Sequence, residues 1–252
     1  MKQLLAIAAL FVAVPLYAAD PPKAGTPVVG AGVVSVDQKA VFLPAKAGGI
    51  EAVELATGKL LWANKDAAKL AGASDKLVLT WDGDPKKGNT FRVVAVDAES
   101  GKTVGKSDAV ALPDWATTAK TWGRTFRTAA RADGESVIVA WQAGAFYSGG
   151  ARPSPEIEAA ARKNESGLAK FDLKTGKVTP ANGKPKDTDF APGPASGGTN
   201  KLGDLTFEMN EELPGFKPGA PMLTKVTFKV VKGGKELWAR ELAGNPWSPP
   251  PP

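Results

Sequence analysis

Histidine and cysteine are both absent from this 252-residue chain. General acid–base chemistry, nucleophilic attack and metal binding would therefore rest on carboxylates, lysines or a bound cofactor. Three groupings have suitable residue types. Asp82-Gly83-Asp84 opens like a calcium loop, but the EF-hand spacing then needs an oxygen ligand at 86 and a glycine at 87, and both are Lys. Glu208, Glu211 and Glu212 could pair carboxylates for glycoside hydrolysis. Glu208, however, falls on the polar face of an alternating strand and the other two fall at its end, which reads as a solvated edge. Trp115, Trp122 and Trp141 could stack sugars, although Trp in an all-β chain packs more often between sheets. The residues thus assign no catalytic, cofactor-binding or metal site, and no cofactor is expected.

The ends of the chain bear on compartment. Met1 and Lys2 precede a run from Leu4 to Leu16 that is apolar apart from Pro15 and exits through Tyr17-Ala18-Ala19-Asp20. A basic start, a short apolar core and small residues form the pattern of a secretory signal peptide, with cleavage expected after Ala18 or Ala19. The expected division is a signal peptide over 1–19, a β domain over 20–245 and a Pro-rich tail over 246–252. The location expected is periplasmic or secreted. The run is shorter than the roughly 20 apolar residues that cross a bilayer, so the mature chain is expected not to span a membrane. Without Cys it must be stabilised by core burial rather than disulfides. Net charge is +6, with lysines spread singly; this reads as a solvated basic surface and not as a nucleic-acid patch.

The elements that must position any site are strands. Val33, Val34 and Val36 precede Asp37-Gln38 and then Ala40 to Leu43, like a hairpin. Leu77–Trp81 and Phe91–Val96 flank the loop that carries Asp82-Gly83-Asp84. Val137–Trp141 follows Asp133-Gly134, a strong hairpin signal. Leu205, Phe207 and Met209, then Val226, Phe228 and Val230, alternate with polar residues, the mark of half-buried antiparallel strands. Ser154-Pro155 to Arg162 reads as a short capped helix inserted in the third unit. Thr179 to Asn200 reads as a loop.

Aligning the turns reveals a repeat. Ala52, Glu54, Thr57, Gly58 and Trp62 define its fullest copy, and Ala95, Asp97, Ser100 and Gly101 restate it with the glycines 43 residues apart. Asp172, Thr175 and Gly176 restate it again, with Pro180 in the Trp position. Gly234 and Trp238 restore only its tail. The acidic residue can accept hydrogen bonds from turn amides, Thr or Ser adds a second acceptor, and Gly supplies a positive φ.

The pattern Ala-x-Asp/Glu-x-x-Thr/Ser-Gly-Lys-x-x-Trp resembles the repeat of PQQ-like, quinoprotein-type β-propellers, a group with quinone-dependent alcohol dehydrogenases and the propeller of the outer-membrane β-barrel assembly machinery. The resemblance implies an all-β propeller, and propellers of that family usually have seven or eight blades. At about 40–45 residues per blade the length here leaves room for about four to five, so the ring is expected to be small or incomplete, carrying the short helical insertion read above. The expected function is a non-enzymatic binding or scaffold module for a protein or polymer of the cell envelope, with self-association as one way to close the ring. The alternative is a quinone-dependent dehydrogenase-like or carbohydrate-active enzyme with carboxylates at the ring mouth.

Overall fold

Alternating apolar residues between Gly- and Asp-rich turns produce antiparallel ladders here throughout. The computed structural model describes residues 28–29, 32–83, 89–113, 123–146, 155, 158–159, 164–186, 200–212 and 225–242. Among them eighteen strands form four antiparallel sheets, each built from consecutive strands. Sheet 1 holds β1 (Val28–Val29), β2 (Gly32–Val34), β3 (Ala40–Pro44), β4 (Ile50–Glu54) and β5 (Leu60–Asn64) in that order. Sheet 2 holds β6 (Lys69–Ala73), β7 (Leu77–Asp82) and β8 (Thr90–Asp97), with β9 (Thr103–Lys106) and β10 (Val110–Ala111) both paired to β8. Sheet 3 holds β11 (Gly123–Asp133), β12 (Ser136–Phe146), β13 (Asn164–Asp172) and β14 (Val178–Ala181). Sheet 4 holds β15 (Asn200–Leu202), β16 (Leu205–Glu212), β17 (Lys225–Lys232) and β18 (Lys235–Leu242).

Three boundaries depart from the sequence expectation. The loop expected over Thr179 to Asn200 is shorter at both ends, because Val178–Ala181 pairs with β13 and Asn200 opens β15 opposite Phe207. Asp82, expected in a loop, ends β7 opposite Arg92. Of the expected helix, Pro155, Glu158 and Ala159 are helical, and its remainder lies outside the described residues. So do the signal segment and the Pro-rich tail.

The packing order of the sheets follows from which faces are apolar. Val34, Val41, Leu43, Val53 and Leu55 of sheet 1 meet Phe207, Phe228, Val230 and Trp238 of sheet 4. The opposite face of sheet 1, with Phe42, Ile50, Ala52 and Trp62, meets Val78, Val94 and Val96 of sheet 2. The other face of sheet 2, with Leu79, Phe91, Val93 and Ala95, meets Val137, Val139, Ala169 and Phe171 of sheet 3. The sheets therefore stack in the order 4–1–2–3. Sheets 1 and 2 are apolar on both faces because both are covered.

Each end sheet has only one apolar face. On the far side of sheet 3, exposed Arg127, Arg131 and Lys170 surround a small Ala129–Ala140–Leu168 strip. On the far side of sheet 4, Glu208 stands directly opposite Lys229, and Lys229 pairs with Glu236 at 3.3 Å. Among the described residues no apolar cluster joins sheets 3 and 4.

Candidate functional site

The repeated turn has the same hydrogen bonding in sheets 1, 2 and 3. Gly58, Gly101 and Gly176 donate their amides to the carbonyls of Glu54, Asp97 and Asp172, each at 2.9 Å, closing an i→i+4 turn. Asp97 accepts from the Ser100 amide at 2.7 Å and its hydroxyl at 2.6 Å. Asp172 accepts from the Thr175 amide at 2.7 Å and its hydroxyl at 2.8 Å. The Thr57 hydroxyl donates to Glu54. The Thr/Ser oxygens in turn accept from the amides of Lys59, Lys102 and Lys177.

These bonds hold the Asp97 and Asp172 carboxyls below the usual carboxylate range: at Asp97 the Ser100 hydroxyl dominates, and at Asp172 the Thr175 amide. A lowered folded-state pKa stabilises the fold above the unfolded value near 3.8, and that contribution is lost as pH falls through the folded value. Thermal melts should show flat stability from neutral pH down to about 5 and a decline below about 4. The Asp97→Asn/Asp172→Asn double variant should show a shallower decline. An unchanged acid limb in the variant would contradict this assignment.

The turn is also a socket. The Trp62 ring of sheet 1 lies against Gly101 of sheet 2, where an added Cβ would stand 2.5–2.7 Å from ring atoms. Its indole N–H donates to the Ala98 carbonyl at 3.0 Å. Two residues further on, the Asn64 amide donates to the Gly101 carbonyl at 2.8 Å. Sheet 4 repeats the clasp on sheet 1: Trp238 lies on Gly58, and its indole N–H donates to Leu55 O at 2.8 Å. Arg240 donates to Gly58 O at 3.4 Å. Gly58 and Gly101 both have positive φ, 74° and 72°. A side chain there meets left-handed strain of about 1–2 kcal/mol together with overpacking of about 1–3 kcal/mol. Gly58→Ala and Gly101→Ala should each shift the urea midpoint down by the equivalent of about 2–4 kcal/mol, and a shift within experimental error would count against the socket.

Junction 2–3 uses a reduced form. Gly105 stands where the Trp would be, and its Cβ position is 3.0 Å from Leu173 O, the carbonyl an indole would otherwise reach. Asp108 N donates to Gly176 O at 2.7 Å. Here backbone meets backbone. Between sheets 3 and 4 the described residues supply neither part: the Trp position is exposed Pro180, and no described residue beyond its chain neighbours lies within 4 Å of the Gly234 Cβ position.

Junction 4–1 carries additional polar links. Glu51 is buried at 6% exposure, and Arg240 grips it with two donors, Nε to Oε1 and Nη2 to Oε2, the latter at 3.0 Å. Lys46 and Glu241 pair at 2.9 Å, and Ala45 bridges Leu242. A bulge falls just before the Trp position in β5 and β18 and at the same place in β9. It leaves Leu61, Val104 and Leu237 turned out at 49%, 48% and 40% exposure on the outermost strands of sheets 1, 2 and 4. This rim, together with Asn64, Glu51 and Arg240, is what sequence reasoning missed. Numbering each repeat from its glycine would have found most of it.

The motif alanines, Ala52 and Ala95, are fully buried, opposite Trp62 and Gly105 respectively. Among the described residues the groupings whose types could do chemistry are not brought together. Asp82 pairs with Lys106 at 2.7 Å, and Glu212 faces Lys225 at 3.8 Å. Trp141 packs against the sheet 2–3 core, while Asp84, Trp115 and Trp122 lie outside the described residues. A shallow cleft of about 250 Å³ on sheet 3 is lined by Ser136, Lys170, Asp172, Thr175, Lys177 and Thr179. Among the described residues no three acidic side chains gather as a metal site would require, and no helix is long and apolar enough to cross a membrane.

No protein-family model and no curated protein matches the chain. Solved structures do align with it. The quinohemoprotein alcohol dehydrogenase ADHIIG from Pseudomonas putida HK5 is 16% identical with a TM-score of 0.35, covering 81% of this chain and 33% of that one. The quinohemoprotein alcohol dehydrogenase from Comamonas testosteroni is 17% identical with a TM-score of 0.32, covering 84% and 36%. BamB from Moraxella catarrhalis is 15% identical with a TM-score of 0.29, covering 85% and 62%. The chain thus spans about a third of the length of the two dehydrogenases. These are similarities only. They fix neither a family nor any residue's role.

Proposed function

We propose that this chain is an exported, non-enzymatic module of short propeller type that binds a protein or polymer of the cell envelope. The observation that carries this reading is the rim. Leu61, Val104 and Leu237 occupy one position of the repeat on three consecutive sheets, and all are exposed. Single exposed aliphatics need no explanation, but a row of them at repeat spacing has the character of an interaction surface. The clasps support the reading too, because interlocked sheets present a rim in a fixed shape. The carboxylates also fit it: Glu51, Asp97, Asp172 and Asp82 each satisfy a local structural partner in a different part of the stack.

Native mass spectrometry of the mature protein with an envelope extract tests this, run beside dye reduction with quinone, calcium and alcohols or sugars. A defined complex without dye reduction is expected. A partnerless monomer, or robust turnover, would overturn the proposal.

A further inference from the structure

The residue after each motif glycine is a lysine in all four repeats: Lys59, Lys102, Lys177 and Lys235. All four are exposed, and none has a carboxylate within 4.0 Å among the described residues. Elsewhere the lysines are mostly engaged: Lys46, Lys106, Lys170, Lys174, Lys225 and Lys229 each hold an acidic partner. In sheets 4, 1 and 2 the lysine is followed two residues later by the exposed aliphatic, giving Lys235/Leu237, Lys59/Leu61 and Lys102/Val104. Leu60 adds to the row at 45% exposure. In sheet 3 the aliphatic is replaced by Thr179, so the mixed pattern ends there.

Resting on the reading of a binding module, we infer that the rim across sheets 4, 1 and 2 docks an acidic polypeptide segment in extended form. Charge selects the partner's sign: three exposed lysines, none ion-paired within 4.0 Å among the described residues, make a positive line. The aliphatics select its class, since a polypeptide can set apolar side chains beside its carboxylates at this spacing, whereas the outer surface of a nucleic-acid duplex presents chiefly phosphates and sugars. Geometry selects the spacing. Packed sheets lie about 10 Å apart, and an extended chain advances about 3.3–3.6 Å per residue. The partner therefore repeats an apolar residue next to Asp or Glu about every three positions.

The probe is a fluorescein-labelled synthetic peptide with Leu and an adjacent Glu at that spacing, titrated by anisotropy against the full mature chain. Lys59→Glu/Lys102→Glu/Lys235→Glu and Leu61→Ser/Val104→Ser/Leu237→Ser should each weaken binding at least about tenfold. Lys170→Glu/Lys184→Glu/Lys201→Glu, of equal charge change but at sheet 3 and the opposite edge of sheet 4, should stay within about twofold. Poly-glutamate and vesicles containing anionic lipid should compete poorly. The variants alter exposed side chains, so their melts should match wild type, and this serves as the folding control.

A silent peptide, equal binding by all variants, or capture of vesicles or polyanion instead would overturn the inference. The two levels are separable. If the rim variants still form the envelope complex seen by native mass spectrometry, the docking surface is wrong while the binding-module reading stands. If wild type forms no complex, the reading itself fails.

Discussion

Trp238→Ala is expected to lower unfolding free energy by about 3–5 kcal/mol, the range for truncating a buried aromatic. Trp238 is 8% exposed, covers Gly58 and packs on Phe228 with ring centroids 5.8 Å apart. Removing it opens a void between sheets 4 and 1 and leaves the Leu55 carbonyl without its indole donor, itself worth about 1–3 kcal/mol if buried. Trp238→Phe keeps an aromatic face on Gly58 but loses the N–H and part of the indole's bulk, so a loss smaller than that of Trp238→Ala, about 2–3 kcal/mol, is expected. Trp62→Ala should behave similarly at junction 1–2, where Phe42 is the aromatic neighbour at 5.8 Å. The reverse substitution, Gly105→Trp, should not add a clasp, because Leu173 O already occupies the approach. Urea unfolding measures all of these. A Trp238→Ala midpoint within about 1 kcal/mol of wild type would show that sheet 4 is not held to sheet 1 by this residue.

The second large effect belongs to the pair that closes the same junction. Arg240→Ala should destabilise by about 3–5 kcal/mol, because it strands the Glu51 carboxylate in a buried site. Glu51→Ala should cost less, because Arg240 is partly exposed and keeps its bond to Gly58 O. Glu51→Leu with Arg240→Met should recover most of the loss, since paired apolar replacements of a buried ion pair are often near neutral. Single variants as stable as wild type would mean that solvent reaches the pair. Arg240 and Trp238 grip one turn, so their losses should fall short of additive: once sheet 4 detaches, the second loss has little left to remove.

The legible part of this structure was local. The turn chemistry of Asp97-Ser100-Gly101 and Asp172-Thr175-Gly176 follows from residues within five positions of one another, and period-two alternation marks β16 and β17. The erosion along the repeats was visible as well, with Pro180 in the Trp position, and among the described residues no apolar cluster joins sheets 3 and 4. What escaped was everything that depends on which sheet lies beside which. Glu51 and Arg240 lie 189 positions apart, and no local pattern links a Glu in an apolar strand to an Arg in the last one. The stacking order 4–1–2–3 came from the distribution of apolar faces, and an alternating strand states only that it has such a face. Leu61 sits between Leu60 and Trp62, and nothing in that local run marks it as an outward-facing residue. The bulge that turns it outward is a property of the ladder, one residue longer on the edge strand than on its partner.

One clasp serves two junctions, and that shared use is what makes the rim a fixed surface. Hydrogen exchange of the indole N–H groups reads it directly. In a nitrogen-15 labelled sample, the Trp62 and Trp238 signals, assigned by single Phe replacements, should be strongly protected. Gly101→Ala should release Trp62 alone, and Gly58→Ala should release Trp238 alone. Exchange of both indoles at the rate of an exposed tryptophan, or the same response to either glycine variant, would contradict it.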